Sequence, residues 1–203
     1  MRKWVGALFI CGAMVVALQL TGPSATAWPA PCDFMTGGGF IITTASGQHA
    51  PAKANFGVGG GCKDGEPTWG HLEYIDHGTG LNVHWQVITG YLAEGDGLGD
   101  TSTDPKNGQP IGTRLICGTA RTNQLGEVDF MVRAKDAGEP GVNDEFDIRL
   151  AKMGIIVYTT EAEPGAPHEL NDANGGGGNI QLHKPNPSTT GSLGGDCPAR
   201  SAT

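Results

Sequence analysis

The feature of this sequence that most constrains its fold is an alternation of apolar and polar residues with a period of two. The alternation is clearest over residues 127–135 and recurs over 145–150, 81–87 and 71–77. Because successive side chains of a β-strand point to opposite faces, it predicts strands with one buried and one exposed face. Further candidate strands cover residues 40–44, 52–58, 113–121, 155–160 and 179–183.

These short strands are separated by Gly, Pro, Asn and Asp, and no segment has the apolar spacing of a full-length helix. The sequence therefore predicts an all-β fold, a single β-sandwich of roughly nine short strands, with a β-barrel as the alternative. The polar, Gly-rich segments 94–110 and 161–177 are predicted to be long surface loops.

The N-terminus has the three parts of a secretory signal peptide. Arg2 and Lys3 precede an apolar run over residues 4–20, and Ala25-Thr26-Ala27 provides the small residues that a signal peptidase requires. The apolar run is shorter than the about 20 residues of a spanning helix. We therefore expect residues 1–27 to be removed and the mature chain to be secreted and extracellular, with no membrane anchor.

The mature chain is predicted to form one domain over residues 28–184, because its length suits a single hydrophobic core. Residues 185–203 are rich in Pro, Ser, Thr and Gly, a composition typical of a tail. Cys197 is the feature that suggests that this tail is tied back to the domain.

The chain is acidic, with a formal net charge of -8 at pH 7 before the basic residues of the signal are removed. Such a charge argues against binding to nucleic acid or to an anionic membrane through a basic face. It is compatible with an extracellular or cell-surface partner, and it leaves carboxylates available for cations.

The number and spacing of the cysteines predict two disulfides. Cys11 lies within the signal, so the mature chain keeps an even number of cysteines in an oxidising compartment. Their wide separation argues against a zinc site, which favours paired ligands. The four cysteines, which allow three pairings, are Cys32, Cys62, Cys117 and Cys197.

Hairpin geometry favours one of the three pairings. If residues 35–44 pair antiparallel with residues 52–60 around Gly47, the numbers of facing residues sum to 94, and Cys32 faces Cys62. Opposed Cα atoms in such a ladder lie about 4.5–5.5 Å apart, within the range of a disulfide. The other two cysteines would then bond each other and hold the tail. A slip of one residue in the hairpin register would mean that Cys32 and Cys62 no longer face each other.

Six short segments occur in a fixed order along nearly the whole mature chain, from Cys32 to about Pro187. They are MTGGGFI (35–41), ANFGV (54–58), GHLEYIDH (70–77), ITGY (88–91), DAGEPG (136–141) and GGGNIQLH (176–183). In these segments the chain resembles the post-COAP-1 family of secreted bacterial domains. The resemblance implies a small secreted β domain, found alone or near other extracellular modules, and it brings no catalytic residue.

Catalytic motifs are missing from the sequence, which has no G-x-S-x-G, H-E-x-x-H, P-loop or Rossmann pattern. The sequence therefore favours a non-enzymatic module with a structural or interaction role and predicts no catalytic residue. A secreted hydrolase is the alternative of another class, and it would need carboxylates such as Glu73, Asp76 and Asp144 to meet in three dimensions.

One oxygen-rich loop is a candidate cation site. Asp136, Glu139 and Asp144 lie in a short segment between two well-patterned strands, and calcium takes six to eight oxygen ligands from such loops. The glycines and the proline of the same segment are explained equally well by a turn. No other cofactor is predicted, and a site across strands built from His71, His77, His84 or His183 is left open.

Aromatic residues near the acidic loops suggest a second alternative, a carbohydrate-binding module that could depend on calcium. They are Trp69, Trp85, Tyr74 and Tyr91. Aromatic residues make up only 6% of the chain, so most of these are expected to belong to the core. The glycine clusters 37–39, 59–61 and 175–178 are predicted to mark bulges or places where backbones approach closely.

Overall fold

The structure is a computed structural model that describes residues 32–43, 51–94, 102–161, 167–171 and 176–203. The predicted signal peptide and parts of both predicted loops lie outside the described residues. The strands are β1 (Phe34–Thr43), β2 (Ala52–Lys63), β3 (Glu66–Asp76), β4 (Leu81–Ala93), β5 (Gly112–Thr122), β6 (Gly126–Asp136), β7 (Glu145–Lys152), β8 (Ile155–Thr159), β9 (Gly177–His183) and β10 (Gly194–Gly195). A short 3-10 helix spans Pro198–Arg200.

All ten strands belong to one antiparallel sheet with the order β8-β7-β6-β5-β4-β3-β2-β1-β9, and β10 pairs with β4. The all-β class is confirmed, and each of the nine predicted strands corresponds to one of β1 to β9. The sheet is continuous and curls into a half-barrel. It is therefore closer to the barrel alternative than to two separate sheets. No helix in the described part of the chain is long and apolar enough to cross a membrane.

The core lies inside the curl, where the two halves of the sheet meet. Phe56 of β2 stacks on Phe146 of β7 with ring centroids 3.8 Å apart, and Tyr74 of β3 lies 6.2 Å from the same ring. These contacts join strands that are distant in the sheet order. Burial of the apolar alternate residues therefore drives the curling, since it removes their surface from water.

The predicted tail packs against the outside of the sheet. Ala199 is fully buried in a second apolar cluster with Leu115, Met131 and Ala151, on the face opposite the main core. Residues of β10 pair with Tyr91 and Gly90 of β4. The composition of a linker did not predict this packing.

Both predicted disulfides are present, Cys32–Cys62 with a Cα–Cα distance of 5.7 Å and Cys117–Cys197 with one of 5.2 Å. The predicted hairpin register, however, is wrong by one residue, because Phe34 faces Gly61. Cys32 lies two residues before β1 begins, outside the ladder. It can therefore approach Cys62 without being its formal partner.

Glycines explain why the sequence pattern placed the start of this strand at Phe40, whereas β1 begins at Phe34. A Cβ atom at Gly39 would overlap the carbonyl oxygen of Gly177 and would lie 2.8 Å from the Cα of Gly178. The close approach of β1 and β9 therefore requires glycine at these positions. Glycine is a poor strand former by propensity, so the pattern over 34–39 does not resemble a strand in the sequence.

Replacement of Gly39 by Ala is expected to lower the free energy of unfolding by about 1–3 kcal/mol, the range for overpacking, because the methyl group would push β9 away from β1. Gly57→Ala is the matched control, since no atom lies within 4 Å of the Cβ position at Gly57. It should leave the free energy unchanged or raise it by up to about 1 kcal/mol. Urea unfolding followed by circular dichroism measures both, and equal effects would contradict the close approach.

Candidate functional site

β9 lies at one end of the sheet and has β1 as its strand neighbour. Alternate amides of a strand point to opposite sides, so half of its N–H groups point away from β1. Each of four alternate N–H groups donates to a side-chain oxygen, in contacts that we call the β9 seam. The pairs are Gly178 N with Asn171 Oδ1 (3.4 Å), Ile180 N with Asp144 Oδ2 (2.7 Å), Leu182 N with Asp136 Oδ2 (2.7 Å) and Lys184 N with Gln109 Oε1 (3.2 Å).

The β9 seam acts in place of a neighbouring strand, because it satisfies backbone donors and blocks a sheet edge that could pair with another chain. Its two aspartates also shape the loop between β6 and β7. The second oxygen of Asp136 accepts a hydrogen bond from Gly138 N at 2.7 Å, and that of Asp144 accepts one from Ala137 N at 3.0 Å. One pair of side chains thus fixes the loop and joins it to β9.

The candidate calcium ligands Asp136, Glu139 and Asp144 lie at this loop. The two aspartates accept the backbone hydrogen bonds just described, and Glu139 Oε1 accepts a long one, 3.5 Å, from Asn179 Nδ2. Within the described ranges, no group of three or more His, Cys, Asp or Glu side chains has the arrangement of a metal site. Calcium binding therefore stays a prediction, whereas the hydrogen-bonding role is visible.

Burial raises the pKa of Asp144 to about 6 and raises the pKa of Asp136 above its ordinary value. Backbone donors to each carboxylate oppose this effect, and neighbouring carboxylates add to it. Asp104 shows the opposite balance, because hydrogen bonds from the N–H groups of Lys106 and Glu139 lower its pKa. At the seam, burial outweighs the hydrogen bonds, so protonation of Asp144 favours the folded state.

The carboxylates of the hydrolase alternative occupy different environments. Asp76 is buried and accepts hydrogen bonds from Gly78 N at 2.7 Å and from the Thr79 hydroxyl at 2.8 Å, which fixes the β3–β4 turn. Asp144 belongs to the β9 seam. Glu73 is exposed on the outer face of the sheet, where it forms an ion pair with His84.

The four histidines of the proposed cross-strand site bind different partners. His84 contacts Glu73 of the neighbouring strand. The other contacts are His77 Nε2 with Asn55 Oδ1 (2.9 Å) and His183 Nε2 with the Thr36 hydroxyl (2.9 Å), while the His71 ring lies over Gly59.

The aromatic residues of the carbohydrate alternative divide into two groups. Tyr74 and Tyr91 are fully buried in the core, and burial raises the pKa of both hydroxyls. Trp69 and Trp85 are partly exposed. Trp85 also packs against the main core, so Trp69 is the one of the four that can present its ring to a ligand without rearrangement of that core.

A buried ion pair just before β1 was not predicted from the sequence. Arg114 Nε donates to Asp33 Oδ1 at 3.1 Å, its Nη2 contacts Asp33 Oδ2, and the Tyr91 hydroxyl donates to Oδ1 at 2.8 Å. The hydrogen bonds from Tyr91 and both guanidinium nitrogens compensate for removing the charges from water. The signal available in the sequence was a single Arg at an inward position of a predicted strand.

The outer face of β1 and β2 has little side-chain cover around Gly38 and Gly57. Gly38 of β1 faces Gly57 of β2, Gly57 in turn faces Glu73 of β3, and Thr36 faces Gly59 one step along. The Cβ position at Gly57 has no atom within 4 Å, and the nearest atom to that of Gly38 is 3.5 Å away. Packing of the described residues therefore does not require glycine at either position. We call the region around these four residues of β1 and β2 the outer strip.

Comparisons with protein-family models, with curated proteins and with solved structures found no match. The resemblance to the post-COAP-1 family stays a prediction from the six sequence segments.

Stability should depend on pH through Asp144. Its pKa is higher in the folded state than the ordinary value of 3.8, so its stabilising contribution is fully present below about pH 4 and is lost as the pH rises through about 6. The unfolding free energy of the wild type, relative to that of Asp144→Asn, should fall by about 1 kcal/mol between pH 5 and pH 7.5. Urea titrations of both proteins measure this, and a difference that grows with pH would contradict the raised pKa.

Proposed function

We propose that this chain is a secreted, non-enzymatic β module that binds an extracellular or cell-surface ligand across its outer strip. The two disulfides support secretion, because such bonds persist in oxidising compartments. The predicted signal peptide and the resemblance to a family of secreted bacterial domains agree with this assignment.

The observation that carries the proposal is the exposed glycine pair, Gly38 and Gly57. Glycine weakens a strand, since it adds backbone entropy to the unfolded state and packs no side chain. At Gly39 this loss is explained by the contact with β9, but no described atom fills the space above Gly57. A ligand that lies against the backbone of the outer strip needs residues without a side chain there, which accounts for these glycines.

The distribution of the carboxylates supports binding rather than hydrolysis. Asp76 and Asp144 accept backbone hydrogen bonds that hold a turn and the β9 seam, so neither can move to a substrate without loss of structure. Glu73 is the one of the three with an exposed side chain, and it borders the outer strip beside His84. Of the three, it is therefore the residue through which catalysis would have to act.

The test is co-sedimentation of the mature protein with washed surface material of the cells that secrete it. The wild type should bind saturably, and Gly57→Thr should bind at least tenfold more weakly because its side chain covers the strip. Thr suits a strand, and no described atom lies within 4 Å of the Cβ position at Gly57, so the melting temperature should not fall. Gln86→Thr, exposed on β4 outside the strip, is the control and should bind as the wild type does.

Two outcomes would contradict the proposal. One is equal binding by the wild type and Gly57→Thr at equal stability, which would place the ligand elsewhere. The other is release of soluble fragments by the wild type and not by Glu73→Gln, which would make the protein a hydrolase. Parallel runs with calcium and with a chelator separate the calcium-dependent alternative, because binding through the outer strip should not change.

A further inference from the structure

Two aromatic side chains meet at one end of the outer strip, across a glycine. Phe34 of β1 and Trp69 of β3 both face Gly61 of the intervening β2. The two rings lie edge to face, with centroids 6.2 Å apart and an angle of 84° between their planes. His183 stacks on Phe34 with centroids 4.4 Å apart, which fixes the orientation of that ring.

The tail supplies a wall beside these rings. Backbone hydrogen bonds join the tail to the β2–β3 turn, from Asp64 N to Ser188 O at 3.2 Å and from Gly65 N to Thr190 O at 2.8 Å. The buried Thr189 hydroxyl accepts a hydrogen bond from Asn186 N at 2.7 Å and closes the wall into a turn. The pocket that they border has a volume of about 120 Å³ and is lined by Phe34, Lys63, Trp69, Asn186, Ser188 and Thr189.

The lining combines aromatic surface with hydrogen-bond donors. Lys63 Nζ, Trp69 Nε1 and Asn186 Nδ2 have no partner among the described residues, and all three donate. An aromatic hydrocarbon would leave these donors unused, and a small anion would leave the rings unused. A sugar uses both, because its C–H face packs on an aromatic ring while its hydroxyl oxygens accept hydrogen bonds.

The size of the pocket and the charges beside it restrict the class of ligand further. The pocket is smaller than the about 300–1,000 Å³ of sites for drug-sized molecules, which suits a single sugar ring. Lys63 is followed by the exposed acids Asp64 and Glu66, so the local charge does not favour an acidic sugar. The outer strip continues from the pocket along β1 and β2, past the His71 ring over Gly59, and offers bare backbone at Gly38 and Gly57 for further rings of a chain.

We propose that the pocket between Phe34, Trp69 and Asn186 binds one pyranose ring of a neutral glycan whose next rings lie along the outer strip. The assignment rests on the proposed function and names its ligand class. Trp69 provides the stacking face, and Asn186 and Lys63 donate to hydroxyl oxygens. The His183 ring already covers one face of Phe34. Trp69 therefore provides most of the aromatic contact with the sugar.

Isothermal titration calorimetry of the mature protein with neutral oligosaccharides of glucose, mannose, galactose, xylose and N-acetylglucosamine tests the assignment. At least one series should bind with a Kd below about 1 mM, with affinity that increases from one ring to several. Trp69→Ala and Asn186→Ala should each weaken binding at least tenfold. Trp69→Phe keeps an aromatic face and should retain part of the affinity. This variant shows whether the loss in Trp69→Ala reflects the missing ring or only unfolding of the protein.

The matched control is Trp85→Phe, on β4 outside the pocket, which should bind as the wild type does. Failure of every neutral series, or wild-type affinity in Trp69→Ala, would overturn the sugar pocket, and tighter binding of uronic acid oligomers would overturn its neutral character. Binding to cell-surface material that is lost in Gly57→Thr but kept in Trp69→Ala would leave the proposed function standing without the pocket.

Discussion

The hydrogen bonds of the β9 seam are the interaction on which the rest of the structure depends. β9 has a strand neighbour on one side, and its outward amides are satisfied by side chains from elsewhere in the chain, above all Asp136 and Asp144. Without them the sheet would end in an unpaired edge at the place where it curls back toward β6. The seam converts an open sheet into a defined half-barrel and so fixes the backbone of β1 and the outer strip beside it.

The β9 seam also buries the carboxylates of Asp136 and Asp144, and burying a charge costs free energy. A hydrogen bond to an ionised group contributes about 1.5–3 kcal/mol, yet burial still raises the pKa of Asp144 to about 6. The carboxylate of Asp144 therefore contributes geometry rather than a net electrostatic gain. It has two acceptor oxygens, which serve Ala137 N and Ile180 N together and link the loop to β9. An amide at this position would offer one acceptor only.

Prediction from the sequence succeeded where the signal is local and failed where it depends on register. The sequence pattern identified segments of all nine strands β1 to β9, with clear alternation in four of them, because burial of one face acts along each strand separately. The disulfide partners also emerged, even though the assumed hairpin register was one residue out. The meeting of Phe34 with Trp69 needs the true register, and the contact of Asp144 with Ile180 joins distant segments. The carboxylates of Asp136 and Asp144 suggest a cation site from the sequence, whereas the backbone hydrogen bonds that they accept across the chain can be recognised only in the structure.

Residue-resolved amide hydrogen exchange is the most direct test of the β9 seam. In the wild type, the amides of Ile180 and Leu182 should exchange as slowly as those of Asn179 and Gln181, which point toward β1. In Asp144→Ala the amide of Ile180 should lose its protection while those of Asn179 and Gln181 keep theirs. Exchange of Ile180 and Leu182 in the wild type at the rate of an exposed sheet edge would contradict the account.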